Sequence, residues 1–182
     1  MKWLGRDNAQ SDDSLVVDIV TTYLEMRSPA QLRAKPAANP DFQVRELQSP
    51  DWRFNRELYL TVGEQWRWTD KREWTEAQWR NYAEAPELRT FAAYLGDDLA
   101  GYYELRDDGE SGVEIAYFGL LTDFIGQGLG GALLSSAIEQ SWKMSPVPKR
   151  VWVHTCTHDH AGALPNYQAR GLVIYRRETV SD

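Results

Sequence analysis

The stretch from residue 126 to residue 131 carries the clearest chemical signal in this sequence. Four of its six residues are glycine, namely Gly126, Gly128, Gly130 and Gly131, and they lie between an apolar run at 114–121 and a helical apolar pattern. Without Cβ atoms the main chain can approach an anionic ligand closely, and N–H groups at a helix N-terminus can bind its oxygens. The spacing therefore predicts a cradle for the diphosphate of a phosphorylated cofactor.

Two other phosphate-binding motifs fit these glycines less well. A dinucleotide loop follows its strand directly and has an acidic residue about 20 positions further on, whereas residues 122–125 intervene here and residues 143–157 contain no acid. A Walker loop requires Lys-Ser or Lys-Thr after the glycines, and neither pair follows them. A glycine-rich turn without a ligand stays open as an alternative at this point.

The three histidines and the only cysteine form a second group of residues capable of chemistry. His154, Cys156, His158 and His160 occupy alternate positions, so they would share one face of an extended strand. Zinc binding and an acyl carrier at Cys156 are two interpretations. Four such positions span about 20 Å, which is too far for all four side chains to bind one ion. No sequence pattern shows what would orient an imidazole to activate Cys156. We therefore expect no metal site, and favour a groove face on which His154 or His158 relays protons.

The pattern along the chain predicts an α+β domain that positions these residues. Turn clusters near Gly96 and Gly109 separate three β-runs, which indicates an antiparallel meander, and a βαβαβ order follows it. A polar lead-in at 1–13 precedes a single domain at 14–182. Strands are predicted at 16–26, 42–47, 91–95, 99–105, 112–121, 151–155 and 172–179. Helices are predicted from residue 51, from residue 69 or 70 to about 86, at 130–143 and at 161–170.

Composition excludes several classes of protein. The longest apolar run, near 115–121, is far shorter than the roughly 20 residues of a membrane helix, and the first residues lack the apolar segment of a secretory signal. A single cysteine cannot form an internal disulfide, which favours a reducing compartment, and we predict a cytoplasmic location. The net charge of −7 argues against sequence-independent binding to nucleic acid.

From residue 42 to residue 180 the sequence resembles the GNAT superfamily of acyl-CoA N-acyltransferases. The signature of that family is Arg or Gln, two variable residues, Gly, a variable residue, and Gly or Ala, between its fourth strand and the next helix. Residues 125–130 match it, except that Ile125 replaces the polar first residue. A second family motif is similar to residues 160–172, where His160 replaces the usual Asn. The residues that match this motif are Ala163, Tyr167, Gly171 and Leu172.

The resemblance implies a mixed α/β fold of the GNAT type, with splayed central strands that hold the pantetheine arm of acetyl-CoA. The main chain of Phe118, Gly119 and Leu120 would contact that arm, and an N–H such as that of Phe118 would polarise the thioester carbonyl. The cofactor-binding residues that the resemblance implies are Phe118, Gly119, Leu120, Ile125, Gly126, Gln127, Gly128, Leu129, Gly130, Gly131 and His160.

Two side chains are the catalytic candidates that the resemblance suggests. Glu114 lies where several family members carry a general base, and Tyr167 would protonate the departing thiolate. An amine with a pKa of about 10.4 needs such a base, because its deprotonation at pH 7 costs about 4.6 kcal/mol. Glu114 would need burial or a relaying water for this role. A strand carboxylate in a salt bridge and a tyrosine packed under the sheet are the structural alternatives.

We predict an N-acetyltransferase that transfers an acetyl group from acetyl-CoA to a primary amine of a small molecule or peptide. The aromatic residues of segment 52–82 are expected to pack in the core for the most part and to form part of the acceptor wall. A noncatalytic acyl-CoA-binding regulator and a nicotinamide-dependent oxidoreductase are the alternatives. No nucleic acid or membrane partner is expected, the acceptor stays unidentified, and a homodimer is left open.

Overall fold

A seven-stranded mixed sheet organises residues 18–180, the part of the chain that the computed structural model describes. The predicted lead-in at 1–13 and the first residues of the strand predicted from residue 16 lie outside this range. The strands are β1 (Ile19–Met26), β2 (Phe42–Glu46), β3 (Leu88–Leu95), β4 (Asp98–Asp107), β5 (Val113–Leu120), β6 (Val151–Cys156) and β7 (Val173–Val180). The helices are α1 (Trp52–Gly63), α2 (Glu76–Ala83), α3 (Gly130–Trp142) and α4 (Ala163–Ala169).

The predicted antiparallel meander is confirmed. β3 and β4 form a hairpin whose turn contains Gly96, at φ +62°, a conformation that glycine adopts without strain. β4 then pairs antiparallel with β5, after a short 3₁₀ turn at Gly109–Ser111. β2 joins the other side of β3, also antiparallel. These pairings hold β5 in the middle of the sheet, next to the strand that follows α3.

The mixed α/β fold is also confirmed, and the sheet contains one strand, β1, whose two pairings local patterns did not predict. β5, α3 and β6 form a parallel crossover, the only parallel neighbours among the described strands. β1 lies between β6 and β7 and is antiparallel to both. The sheet order is therefore β2-β3-β4-β5-β6-β1-β7. The place of β1 depends on contacts more than 100 residues apart along the chain, which leave no local signature.

Helices cover both faces of the sheet. On one face α3 buries Leu133, Leu134, Ala137 and Ile138 completely, as its apolar spacing predicts. On the other face α1 packs its Leu58 and Val62 against Tyr102 of β4. Within residues 18–180, no helix has the length and apolar character that crossing a membrane requires.

The second predicted helix begins later than expected. It was predicted from residue 69 or 70, but α2 starts at Glu76, because Thr75 caps it: the Thr75 hydroxyl accepts from the Gln78 amide, and the Gln78 side chain accepts from the Thr75 amide. The chain before Thr75 folds into turns, in which the Lys71 amide donates to the Tyr59 hydroxyl. These turns bring residues 66–71 to the open groove described below.

Candidate active site

A groove opens where β5 and β6 separate. The two strands pair only at Val113 with Val151 and at Glu114 with Trp152. Beyond Glu114, the side of β5 that faces β6 has no neighbouring strand among the described residues, so its main-chain groups are available to a ligand. The groove has a volume of about 890 Å³. The splayed strands that the family resemblance implied are therefore present.

The glycine-rich loop forms one end of this groove. Gly126 and Gly128 have φ values of +83° and +78°, which favour glycine, and a Cβ built on either would meet nothing within 4 Å. α3 then begins at Gly130 without a side-chain cap and without an acidic residue in its first turn. Its first N–H groups are thus available to an anionic ligand.

Most of the predicted cofactor-binding residues line the groove, and two do not. Gln127 turns its side chain back to the carbonyl of Asp123, at 2.8 Å, and Leu129 is buried in the core with 3% of its surface exposed. These two positions contribute main chain to the loop, and their side chains stay outside the groove. The residues that line the groove are Phe118, Gly119, Leu120, Ile125, Gly126, Gly128, Gly130, Gly131 and His160.

Glu114 lies in the groove but is paired on both of its carboxylate oxygens. Arg106 of β4 donates to Oε2, and the Nδ1 atom of His154 lies 3.4 Å from Oε1. The Glu114 side chain is 4% exposed, whereas that of His154 is 46% exposed on the groove side. The carboxylate thus lies directly behind an accessible imidazole, and the imidazole is the member of this pair that a ligand can reach.

Tyr167 of α4 also lines the groove, near Phe118 of β5. Their ring centroids are 6.0 Å apart, and Tyr167 is 5% exposed. Burial raises the pKa of Tyr167 well above its ordinary value, so the phenol stays protonated at neutral pH. Its hydroxyl has no hydrogen-bond partner within residues 18–180, and it can therefore donate its proton to a ligand.

The histidines and the cysteine do not share one strand face, because β6 ends at Cys156. The chain then turns, and Asp159 accepts from the Cys156 amide at 2.8 Å. His158 contacts Arg67 at 3.5 Å, while the Nδ1 atom of His160 accepts from the Gly162 amide at 2.9 Å. In the position of the usual family Asn, His160 thus stabilises the turn before α4.

Neither alternative role for these residues finds support in the geometry. Burial raises the pKa of the Cys156 thiol, which disfavours the thiolate that a covalent acyl carrier needs. Among the described residues, no group of three or more His, Cys, Asp or Glu side chains is arranged to hold a metal ion. His154, His158 and Cys156 do line the groove, as we expected for this segment.

Sequence reasoning missed a network of polar side chains that lines the groove beside Tyr117 of β5. Asp70 accepts from the hydroxyls of Tyr59 and Tyr117, at 2.8 and 2.6 Å, and these bonds and Lys71 lower its pKa against the opposing effect of burial. Lys71 donates to Tyr117 at 2.5 Å and lies within 6 Å of four aromatic ring centroids. Isolated Asp and Lys residues in a turn give no sequence signal for such a network.

A buried carboxyl group, Glu104, lies behind this network. It is fully buried on β4, where Tyr82 and the side-chain amide of Asn55 donate to it. Burial raises its pKa to about 7, against the effects of these bonds and of the Lys71 charge. Glu104 does not line the groove. Because Glu104 lies next to Lys71, it connects the packing of α1 and α2 to the polar network of the groove.

Of the aromatic residues expected in the acceptor wall, only two line the groove. Trp66 and Trp68 do so, and the Trp66 ring packs edge-on against His160 with centroids 5.3 Å apart. Tyr59 and Trp79 are each 1% exposed and form the core of the α1–α2 layer. Core packing is thus the main role of this aromatic segment.

The sequence and the fold are both similar to those of known acetyltransferases. The model of the acetyltransferase (GNAT) family matches residues 42–172. No curated protein matches the sequence. A solved GCN5-related N-acetyltransferase from Sphaerobacter thermophilus is 18% identical with a TM-score of 0.64, over 89% of this chain and 50% of that one. A GCN5-related N-acetyltransferase from Kribbella flavida is 15% identical with a TM-score of 0.64, over 90% of this chain and 58% of that one.

A third solved structure is closer to this chain in length. It is an aminoglycoside acetyltransferase from an uncultured soil metagenomic sample, 14% identical with a TM-score of 0.56, over 71% of this chain and 86% of that one. The chain spans only 50% and 58% of the lengths of the two structures above. The similarity to these three structures shows the fold alone. The family model, by contrast, covers well over half of the sequence. The chain therefore belongs to the GNAT family of acetyltransferases.

Proposed function

We propose that the protein is an N-acetyltransferase that transfers the acetyl group of acetyl-CoA to a primary amine of a small molecule or peptide. The observation that carries this proposal is that one groove joins an uncapped glycine-rich helix start to an accessible His154 and a protonated Tyr167. Phosphate binding at one end and proton transfer at the other are the two functions that acetyl transfer from a thioester needs. The single free cysteine fits a reducing cytoplasm.

The residues that would hold acetyl-CoA belong to β5 and the glycine loop. In this proposal the main chain from Phe118 to Leu120 bonds the pantetheine arm, and the amides of Gly126 to Gly131 bond the diphosphate. The cofactor supplies an activated acetyl thioester. A main-chain N–H of β5, such as that of Phe118, stabilises the negative charge that develops on the thioester oxygen.

His154 accepts the proton of the acceptor amine, and Glu114 keeps the imidazole in position. This assignment rests on exposure and pairing: His154 is accessible in the groove, whereas both oxygens of Glu114 are engaged. Imidazole suits this step because one nitrogen of the neutral ring accepts a proton while the other donates to a partner. Glu114 therefore assists deprotonation through His154, and does so as a positioning residue.

Tyr167 donates its proton to the thiolate that leaves. The phenol is buried beside Phe118, the strand residue proposed to bind the thioester, and its raised pKa keeps it protonated until a strong base forms next to it. Proton donation of this kind lowers the barrier for departure of the sulfur. The acid and the base thus come from α4 and β6, which form the same wall of the groove.

The acceptor would enter past Trp66, Trp68 and Asp70, which line the groove. An ionised carboxylate and two indole rings suit an amine that arrives as a cation. Because a structural neighbour is an aminoglycoside acetyltransferase, aminoglycosides belong in the acceptor panel, together with polyamines, amino acids and peptide N-termini.

The test measures free-thiol release from acetyl-CoA with each member of this panel, alongside calorimetric titration of CoA. Amine-dependent thiol release together with heat of CoA binding is the expected result. Binding without release for any amine would instead favour the noncatalytic regulator. Thermal protection by NAD without protection by CoA would overturn the proposal in favour of an oxidoreductase.

A further inference from the structure

One buried amine of the groove has no part in the transfer proposed above. Lys71 lines the groove, and its side chain is 7% exposed. The other lysines of the described residues are all exposed, namely Lys35, Lys143 and Lys149. A primary amine is also the chemical group that the proposed reaction acetylates. Lys71 is therefore an acceptor group that the chain itself carries into the groove.

The main chain fixes where this amine lies. The Lys71 amide donates to the hydroxyl of Tyr59 at 3.2 Å, and the Lys71 carbonyl accepts from the amide of Trp74 at 3.1 Å. Both bonds belong to the turns that precede Thr75 and delay the start of α2. From this fixed main chain the side chain extends to β5, where its Nζ atom donates to the hydroxyl of Tyr117 at 2.5 Å.

The contact with Tyr117 brings the amine close to the strand proposed to bind the thioester. Tyr117 directly precedes Phe118, whose main-chain N–H is proposed to stabilise the thioester oxygen, and both residues line the groove. The Nζ atom of Lys71 lies 4.0 Å from the centroid of the Tyr117 ring. Because the lysine stem is flexible, rotation of its terminal bonds moves Nζ along the groove face of β5.

The surroundings of Nζ favour the neutral, nucleophilic form of the amine. Four aromatic ring centroids lie 4.0 to 5.7 Å from Nζ, those of Tyr59, Trp74, Tyr82 and Tyr117. Burial lowers the pKa of Lys71 below its ordinary value, against the opposing charges of Asp70 and Glu104. Asp70 lies 3.2 Å from Nζ and is exposed, so a proton that leaves the ammonium has a path to water. A buried lysine of this kind is a better nucleophile than a hydrated ammonium.

We propose that Lys71 is a self-acetylation site, at which the bound acetyl group passes to the chain's own amine when no acceptor occupies the groove. The inference rests on the proposed function, because acetyl-CoA is the acyl donor. Nζ forms a bond with the carbonyl carbon of the thioester, the bond from that carbon to sulfur breaks, and its electron pair stays on the sulfur. The thiolate takes the proton of Tyr167. Of the two protons that the Lys71 ammonium loses, one returns to Tyr167 through water and the other passes to water by way of Asp70.

The experiment incubates the wild type with isotope-labelled acetyl-CoA, without any acceptor, and follows intact mass and peptide masses over time. We expect a single acetyl group on Lys71, added at a first-order rate that does not depend on protein concentration. Lys71 should be labelled at least about tenfold faster than Lys143 and Lys149, which do not line the groove, because the groove holds its amine beside the thioester. Acetyl phosphate, which needs no groove to react, should label these exposed lysines faster than Lys71.

Three variants test whether the groove catalyses this step. Lys71→Arg should lose the fast label. Lys35→Arg is the matched control and should keep it, since Lys35 also lines the groove but is exposed. Tyr167→Phe should slow the labelling of Lys71 by about 100-fold, as expected when the thiolate leaves without a proton, and should leave the slow labelling of Lys143 unchanged.

Equal labelling of Lys71 and the exposed lysines, or no label on Lys71, would overturn self-acetylation, while amine-dependent thiol release would leave the proposed function standing. A rate at Lys71 that rises with protein concentration would overturn transfer within one groove. Absence of CoA binding to the wild type would overturn the proposed function and self-acetylation together. The wild type alone supplies these outcomes, so a folding defect in Lys71→Arg, which circular dichroism would detect, does not affect them.

Discussion

The Nδ1 atom of His154 lies 3.4 Å from the Oε1 atom of Glu114, at the point where two parallel strands separate. Pairing of Glu114 with Trp152 sets this distance, because His154 is two residues beyond Trp152 and therefore on the same face of the sheet. The carboxylate is buried, and the imidazole is half exposed in the groove. A buried carboxylate behind an accessible imidazole is an arrangement that orients a general base.

Removal of this imidazole should slow acetyl transfer without loss of the cofactor. We expect His154→Ala to lower kcat by about 100-fold, which is typical for a general base, with little change in Kd for CoA. Glu114→Gln should lower kcat less, by about tenfold, because the imidazole remains but is less well held. Steady-state kinetics and calorimetry measure these effects. His158→Ala removes a groove imidazole that forms no ion pair with a carboxylate of the described residues, and a larger loss of kcat there would contradict the assignment.

Loss of the Tyr167 hydroxyl should also affect turnover more than stability. Tyr167→Phe is expected to lower kcat by about 100-fold, since the thiolate then leaves without a proton. Its free energy of unfolding should change little, because the hydroxyl has no protein partner within residues 18–180. Tyr103→Phe is the matched control: its hydroxyl bonds Ser136 at 3.0 Å, so about 1 kcal/mol of stability should be lost with kcat retained. An unaltered kcat in Tyr167→Phe would remove the residue from the mechanism.

The glycine loop can be tested with two glycines of similar conformation. Gly128 in the loop and Gly96 in the β3–β4 turn both have positive φ, and both have open space where a Cβ would stand. Substitution of either by Ala should destabilise the fold by about 1 kcal/mol, because the left-handed conformation disfavours a side chain. Only Gly128→Ala should weaken CoA binding, since only that residue belongs to the groove. Equal CoA affinity in the two variants, measured by calorimetry, would argue against the cradle.

Glu104 should make the stability of the protein depend on pH. Burial raises its pKa in the folded state to about 7, from an ordinary value of 4.5, so the folded state holds a proton that the unfolded state has released. The free energy of unfolding should therefore fall by roughly 2 to 3 kcal/mol as the pH rises through this interval. Urea denaturation of the wild type and of Glu104→Gln, at pH values on either side of it, measures the effect. The amide variant should lack this decline, and an equal decline in both proteins would assign it to other groups.

Glycine spacing and apolar periodicity were sufficient to predict much of this protein. Four glycines followed by Leu133, Leu134, Ala137 and Ile138 predict a loop that opens into a buried helix, because backbone freedom and helical period are local properties. The turns at Gly96 and Gly109 likewise predict the meander. A resemblance to the family also suggested Glu114 and Tyr167 as catalytic candidates, and both line the groove.

Only the tertiary structure decided which groups act together. The pairing of Glu114 with both Arg106 and His154 depends on strands β4, β5 and β6 meeting at one place, and a sequence pattern does not encode that distance. The insertion of β1 between β6 and β7 is equally nonlocal. Local propensity determined the elements, whereas long-range packing determined the charge pairs and hence the chemistry proposed for the groove.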